Sequence, residues 1–221
     1  EGLTRRGEFA DIGFELREGE VLGITGLAAN PDAYAIVSAE AAEVPPGASG
    51  LLFLPHLTGE RTPHMDPAAR GAFVGLSDFH QRGHLARAVM EGVTFALRQT
   101  LEISRALSEP VAGAVERVIA TGGGAESDVW RQMQADIFNL PLQKSLMREQ
   151  TCTGAALLAG LGVGVYTDIA DAIGSRVLYD TVTAPNPAHR ARYDELYEQY
   201  LTLYPRLQTN LHRLTAISLR K

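Results

Sequence analysis

Val118-Ile119-Ala120-Thr121-Gly122-Gly123-Gly124-Ala125-Glu126-Ser127-Asp128 is the stretch that decides the fold. A short β-branched run breaks into three glycines, and a helical pattern opens near Ser127 with Val129, Met133 and Ile137 on one face. Strand, glycine turn and helix start together make a nucleotide pocket. Without a Cβ, glycine lets the backbone approach a ligand closely and adopt positive φ, and the N–H groups of a helix start favour an anion. Phosphate or nucleoside is therefore the leading ligand expectation. A glycine run by itself is equally a flexible turn, so the weight comes from what surrounds it.

Upstream, the apolar run Leu51-Leu52-Phe53-Leu54 ends at Pro55 and is followed by Gly59-Glu60-Arg61-Thr62-Pro63-His64-Met65-Asp66-Pro67-Ala68-Ala69-Arg70-Gly71. This reads as a buried strand feeding a long, ordered loop. Pro63 and Pro67 fix φ, and Glu60, Arg61, Asp66 and Arg70 are denser than an incidental surface loop carries. Taken with the Gly-Gly-Gly-Ala turn, the helix beginning His84-Leu85-Ala86-Arg87-Ala88-Val89-Met90-Glu91-Gly92-Val93 and the small-residue segment Thr153-Gly154-Ala155-Ala156-Leu157-Leu158-Ala159-Gly160, the chain resembles the FGGY carbohydrate kinases, most closely their xylulokinase branch. The resemblance runs from about residue 31 to residue 207, with the motifs in the family's order.

The first residues read differently. Residues 11–27 alternate polar and apolar, turn at Glu18-Gly19 and end in a β run, a hairpin that resembles the start of a sugar-importer ABC-transporter ATPase domain. In that family the hairpin leads into a Walker A loop, whereas here Gly26-Leu27 is followed by Ala28-Ala29-Asn30-Pro31, with no lysine to cradle phosphate. The expectation is a chimeric or truncated chain joined between residues 26 and 32, the alternative being that residues 11–25 are the first hairpin of the kinase domain. Three regions follow: a β-hairpin segment over 1–30, a kinase C-terminal domain over 31–208 that lacks its opening strands, and a mildly basic, frayed tail over 209–221.

Between these landmarks the pattern predicts an alanine-rich helix over 33–43 broken by Pro45-Pro46-Gly47, and a long amphipathic helix from His84 that stops before Glu109-Pro110. Pro141 ends the helix after the glycine turn and opens a strand over 142–146. A last helix beginning at Pro187 carries Tyr193, Leu196, Tyr200, Leu203 and Leu207 in one stripe, read as docking surface. Alternating strands and helices make an α/β layer architecture. The resemblance sharpens this to an actin-like, ribonuclease-H-like ATPase domain, the C-terminal one of the two that close on the family's cleft.

Composition limits the partners. With 221 residues, 45% of them hydrophobic, the chain is long enough for one good core. A net charge of −6 argues against a nucleic-acid surface. One cysteine, Cys152, excludes an intrachain disulfide and any multi-cysteine metal site, and fits a reducing compartment. No apolar run reaches membrane-spanning length and residues 1–6 have no signal core behind them, so the expected location is the cytoplasm.

The resemblance implies ATP-dependent phosphoryl transfer to a sugar hydroxyl, with a ketopentose such as D-xylulose as substrate and ATP with Mg²⁺ as phosphoryl donor. Gly123 and Gly124 match the family's glycine pair beside the nucleotide, and Gly59 the loop glycine near its phosphates. Asp128 matches the position that reaches adenine, an Asn in related glycerol kinases; an ionised carboxylate accepts from the adenine amino group but cannot donate to a ring nitrogen. Arg61 is either a phosphate partner or an ion-pair partner of Asp66 or Glu60, the second being preferred, and Arg70 is placed with structure.

The remaining candidates are structural. His80 and His84 have helical metal-ligand spacing without a third ligand, Arg87 and Glu91 form an i, i+4 pair expected to stabilise a helix slightly, and Cys152 reads as a small buried hydrophobe. Neither the family's Asp-Gly-Thr phosphate motif nor its catalytic aspartate has a match, so no catalytic residue is assigned. The chain is expected to need a separate N-terminal kinase domain to phosphorylate sugar. The other readings are a nucleotide-binding or docking module of a split kinase, and a transporter-associated ATPase fragment.

Overall fold

A computed structural model describes residues 33–112, 114–147 and 150–220 and the backbone of residues 3–5 and 9–12. Glu1–Tyr34 and Ala35–Lys221 form two units. In the first, β1 (Leu3–Arg5) and β2 (Phe9–Ile12) pair antiparallel, Leu3 opposite Ile12. The hairpin expected to turn at Glu18-Gly19, and the junction expected between residues 26 and 32, lie outside the described residues.

The larger unit is built around two small sheets. β3 (Leu52–Leu54) is the expected apolar strand, buried along its whole length, and pairs antiparallel with β4 (Ala72–Val74). The charged loop, residues 55–71, is therefore the connection within one strand pair. Three residues after a polar loop gave too short a pattern to reveal β4 from sequence.

The second sheet has the order β5-β6-β7. β5 (Val118–Ala120) and β6 (Leu142–Ser145) are parallel, a pairing that needs a crossover, and α3 (Asp128–Phe138) supplies it. β7 (Tyr179–Thr183) returns antiparallel on β6 after α4 (Gln150–Gly162) and α5 (Ile169–Arg176). Neither α5 nor β7 was expected. Both are short and amphipathic only in part, with Ile169, Ile173, Leu178 and Val182 exposed, so no clean period marks them.

α2 (Arg82–Ala112) packs on β3, and α1 (Ala33–Ala42) is tied to α2 through the Arg87 guanidinium, which donates to the Ala41 carbonyl at 3.1 Å. α2 was expected to stop before Glu109 but runs through Pro110. The proline falls in the final turn, where only one intrahelical bond remains to be lost. Pro187–His189 form a single 3₁₀ turn, and α6 (Arg190–Ser218) follows, passing through the exposed Pro205. Residues 209–218, expected as a frayed tail, are the last turns of this helix. Their packing explains the difference: Leu211 and Thr215 are buried, and Thr215 Oγ1 donates to the Ala68 carbonyl at 2.9 Å.

The core lies where α6 meets α2 and β3. Phe95 sits within 6.3 Å of the Tyr193, Tyr197 and Tyr200 rings, and Leu52, Leu54, Ile137 and Leu196 complete the cluster. Burying each such side chain contributes about 1.5–3 kcal/mol, so the stripe read from α6 is core. Arg87 and Glu91 do more than support their own helix. The buried Arg87 guanidinium donates to Glu91 at 2.7 Å, to the Val44 carbonyl at 2.6 Å and to Tyr193 Oη at 2.9 Å. Glu91 Oε1 also accepts from Gly47 N and Tyr193 Oη, both at 2.9 Å. This network ties α2 to the end of α1 and the start of α6.

Candidate functional site

The glycine turn leaves β5 at Thr121. Gly122 stands at φ +76° and ψ −175°, a backbone conformation open only to glycine, and Gly123–Glu126 form a 3₁₀ turn. Ser127 is the N-cap of α3: its Oγ accepts from Trp130 N at 3.2 Å and pairs with Ser38 Oγ of α1 at 3.1 Å. A Cβ added at Gly122 or Gly123 would meet nothing within 4 Å. One added at Gly124 would lie 2.6 Å from the Trp130 ring. Gly124 therefore has an internal reason to be glycine, while the faces of Gly122 and Gly123 are open.

Trp130 anchors the turn from beneath, its Nε1 donating to the Met90 carbonyl and to Thr94 Oγ1, both at 3.1 Å. Asp128 is the first residue of α3 and pairs with Arg131, which also donates to the Ala125 carbonyl. Its carboxylate is 87% exposed. Glu126 pairs with Lys144 at 2.6 Å. Two carboxylates and a cap thus occupy the helix start that the sequence suggested for phosphate. Phosphate there would face Glu126 and Asp128, whereas a base or ribose meets only open backbone and hydrogen-bonding side chains. Trp130, Arg131 and Lys144 were missed. The Ser-x-x-Trp cap and the Asp–Arg spacing of three were the available signals.

Asp128 also edges a cleft of about 570 Å³ lined by Val44, Pro46, Arg87, Val129, Met133 and His189 among others. At its floor the buried Asp136 accepts from Asn186 N at 2.7 Å and lies 2.7 Å from His189 Nδ1, which fixes the entry to α6. Gly59, Gly123 and Gly124 do not line this cleft.

The loop over 55–71 is tied down by its carboxylates. Glu60 accepts from Thr62 N and His64 N at 2.7 Å each, and its backbone exchanges hydrogen bonds with Asp66 at 2.8 and 2.7 Å. Asp66 accepts from Ala68 N at 2.9 Å, from Tyr204, from Gln208 at 3.1 Å, and lies 2.6 Å from His212 Nε2. The Tyr204 and His212 hydrogen bonds, with those from Gln208 and Ala68, hold the Asp66 carboxyl well below the usual range, and burial with the Asp66 carboxylate pushes Tyr204 up to about 12. Gly59 stands at φ +87°, where a Cβ would be 2.9 Å from Pro67 Cα. Like Gly124, it is glycine for a reason inside the protein.

Arg61 corrects an expectation. It pairs with neither Asp66 nor Glu60, whose oxygens are taken, and it is an exposed cation with no partner among the described residues. Arg70 donates to the Ala69 and Pro67 carbonyls at 2.7 and 3.1 Å, as a structural residue should. His80 Nδ1 and His84 Nδ1 accept from Ser77 N and Gln81 N at 2.8 and 3.2 Å. Each neutral ring then carries its proton on Nε2, which opposes metal ligation through that nitrogen. Cys152, expected to be buried, is exposed on α4. Among the described residues no group of three or more His, Cys, Asp or Glu could hold a metal, and no helix is long and apolar enough to cross a membrane.

Residues 20–163 match the model of the FGGY family of carbohydrate kinases, C-terminal domain. A xylulose kinase from Staphylococcus epidermidis is 39% identical over 170 residues, covering 77% of this chain and 33% of that protein. A gluconokinase from Bacillus subtilis is 36% identical over 203 residues, covering 90% of this chain and 36% of its own length. The crystal structure of xylulose kinase from Rhodospirillum rubrum superposes with a TM-score of 0.72 at 36% identity, covering 85% of this chain and 36% of that one. The actin-like, ribonuclease-H-like fold expected from the resemblance is the fold these structures share with it. The chain spans about a third of the length of these relatives, and it belongs to the FGGY family of carbohydrate kinases, matching their C-terminal domain.

Proposed function

We propose that this chain is the nucleotide-binding half of a sugar kinase and that the nucleoside end of ATP rests on the open backbone of Gly122 and Gly123, with Asp128 at the adenine edge. The observation that carries this is Gly123. Its Cβ position meets no protein atom, so packing gives no reason for glycine there, and a flat ligand over the turn does. Glu126 and Asp128 beside it favour the uncharged end of the nucleotide. The phosphate end lies toward the Gly59 loop, whose backbone is fixed and whose Arg61 offers a guanidinium without a partner among the described residues.

Phosphoryl transfer needs a group that activates the hydroxyl, a cation on the phosphates and a pocket that fixes the nucleotide. This chain supplies the third. Mg²⁺ would arrive with the phosphates; no metal ligand is assigned, since the two carboxylates beside the turn, Asp128 and Glu126, are paired with Arg131 and Lys144. A separate N-terminal kinase domain would bring the base and most sugar contacts. A ketopentose is the proposed acceptor because xylulose kinases stand among the relatives, and gluconate is the competing one. Cytoplasmic location is part of the same proposal.

The test is calorimetric titration of the purified chain with Mg-ATP, wild type against Gly123→Val. Binding that the substitution removes from a folded protein supports the pocket. Equal affinity in both places the nucleotide elsewhere. In a coupled assay the chain alone should form no ADP in the presence of xylulose or gluconate, and xylulose-dependent ADP would refute the need for a second domain.

A further inference from the structure

We infer that the last turns of α6 are a docking face for an acidic amphipathic helix of another protein. The register of α6 supplies the first observation. Tyr193, Leu196 and Tyr200 are spaced three and four apart and are buried in the core. The same spacing continues through Leu207, Asn210, Leu214 and Ile217, but here it leaves the core: Leu214 and Ile217 are each 59% exposed. In a heptad these positions form one seam, with a single polar Asn of the kind that fixes pairing register.

Charge is the second observation. Residues 199–221 contain Arg206, Arg213, Arg220 and Lys221 and no Asp or Glu, in a chain whose net charge is −6. Arg206 and Arg213, seven apart, each stand immediately before a seam leucine and line one border of the apolar stripe, and Arg220 follows just past the end of the helix. None has an ion-pair partner among the described residues, and all three are exposed. The helix beneath them is fixed, because its opposite side is held to the loop through Leu211, His212 and Thr215.

A seam of leucine and isoleucine bordered by arginine selects a partner helix with apolar residues at matching positions and Glu or Asp beside them. A second copy of this chain does not fit. Antiparallel, it would set arginine row against arginine row; parallel, it would set them against Tyr204, Leu211 and Ser218, which offer no anion.

The test uses the whole chain and a fluorescein-labelled helical peptide of about four heptads, with Leu on the seam and Glu beside it, against the same peptide with Lys in place of Glu. Anisotropy should show the Glu peptide binding at least about tenfold tighter, with an affinity that falls as salt rises. Reversal of the row in the triple variant R206E/R213E/R220E, checked for folding by circular dichroism, should invert the preference. Leu214→Asp should weaken both peptides while leaving the charge row intact. Equal binding of the two peptides, binding of neither by a folded chain, or an unchanged preference in the triple variant would each overturn the inference. So would co-sedimentation with phosphatidylglycerol vesicles without any peptide preference, which would assign the face to a membrane surface.

Discussion

The loop over residues 55–71 and the turn over residues 121–127 are both glycine-bearing, charged connections after a buried strand, and they are built on opposite plans. In the loop both carboxylates are used internally. Asp66 takes four partners and Glu60 two backbone N–H groups, and Gly59 is glycine because Pro67 lies against it. The turn is held by Trp130, Ser127, Arg131 and Lys144, and these contacts leave one face of Gly122 and Gly123 bare. The contrast teaches that a motif glycine marks close approach without saying to what. In one region the approaching group is the protein itself.

If the loop is a self-contained brace, breaking it should damage stability more than anything done at the turn. Asp66→Asn is expected to give the largest fall in melting temperature. The Asp66 carboxyl is depressed first by Tyr204, then His212, with Gln208 and Ala68 adding to it, so its stabilisation is fully present above the usual carboxylate pKa of about 4 and fades as pH falls from there toward the folded value. The difference between wild type and D66N in thermal melts should therefore be constant near neutrality and shrink in strong acid. A gap that stays the same at low pH would mean that the carboxylate charge is not what holds the loop. Gly59→Ala comes next: positive φ and a Cβ 2.9 Å from Pro67 should cost about 1–3 kcal/mol in denaturant unfolding. An unaffected midpoint would show that the loop moves freely.

The strand, glycine turn and helix over 118–138 could be read directly, because β-branched residues, glycines and a 3.6-residue period follow one another without ambiguity. So could the aromatic stripe of α6. What escaped reading depends on contacts distant in sequence. Nothing near Asp66 announces that Tyr204 and His212, over a hundred residues on, occupy its oxygens and so free Arg61. Arg87 and Glu91 read as an i, i+4 pair serving only their own helix until Tyr193 and Gly47 close around them. Of the four residues expected at the nucleotide, Gly123 and Asp128 stand open to solvent on the turn, while Gly59 and Gly124 face protein, a distinction that no spacing encodes.

That distinction separates two substitutions that look alike on paper. Gly124→Ala drives a methyl into the Trp130 ring and should lose about 1–3 kcal/mol, the range of an overpacked core. Trp130 is the only tryptophan, so its emission reports the displacement directly. Gly123→Val should change stability by no more than about 0.5 kcal/mol and leave the emission alone, while Mg-ATP affinity falls. Reversed results, with Gly123 critical for folding and Gly124 inert, would erase the contrast between the two glycines.

The smallest expected effect is at Asp128, and it tests which end of the nucleotide the turn receives. The Asp128 carboxylate can only accept hydrogen bonds, and part of its capacity is spent on Arg131. Asn in its place would accept from an adenine amino group and also donate to a ring nitrogen, and it would remove a negative charge. If adenine lies at this edge, D128N should bind Mg-ATP and adenosine more tightly by the same small factor, about two- to fivefold, the worth of one neutral hydrogen bond. If the phosphates lie here instead, the lost charge should help ATP and ADP but leave adenosine unchanged, since the gain would then come from relieved repulsion alone. Comparing the two ligands thus turns a single-atom change into a reading of the nucleotide's orientation, and parallel gains for both would place the base on the open turn and the phosphates away from it.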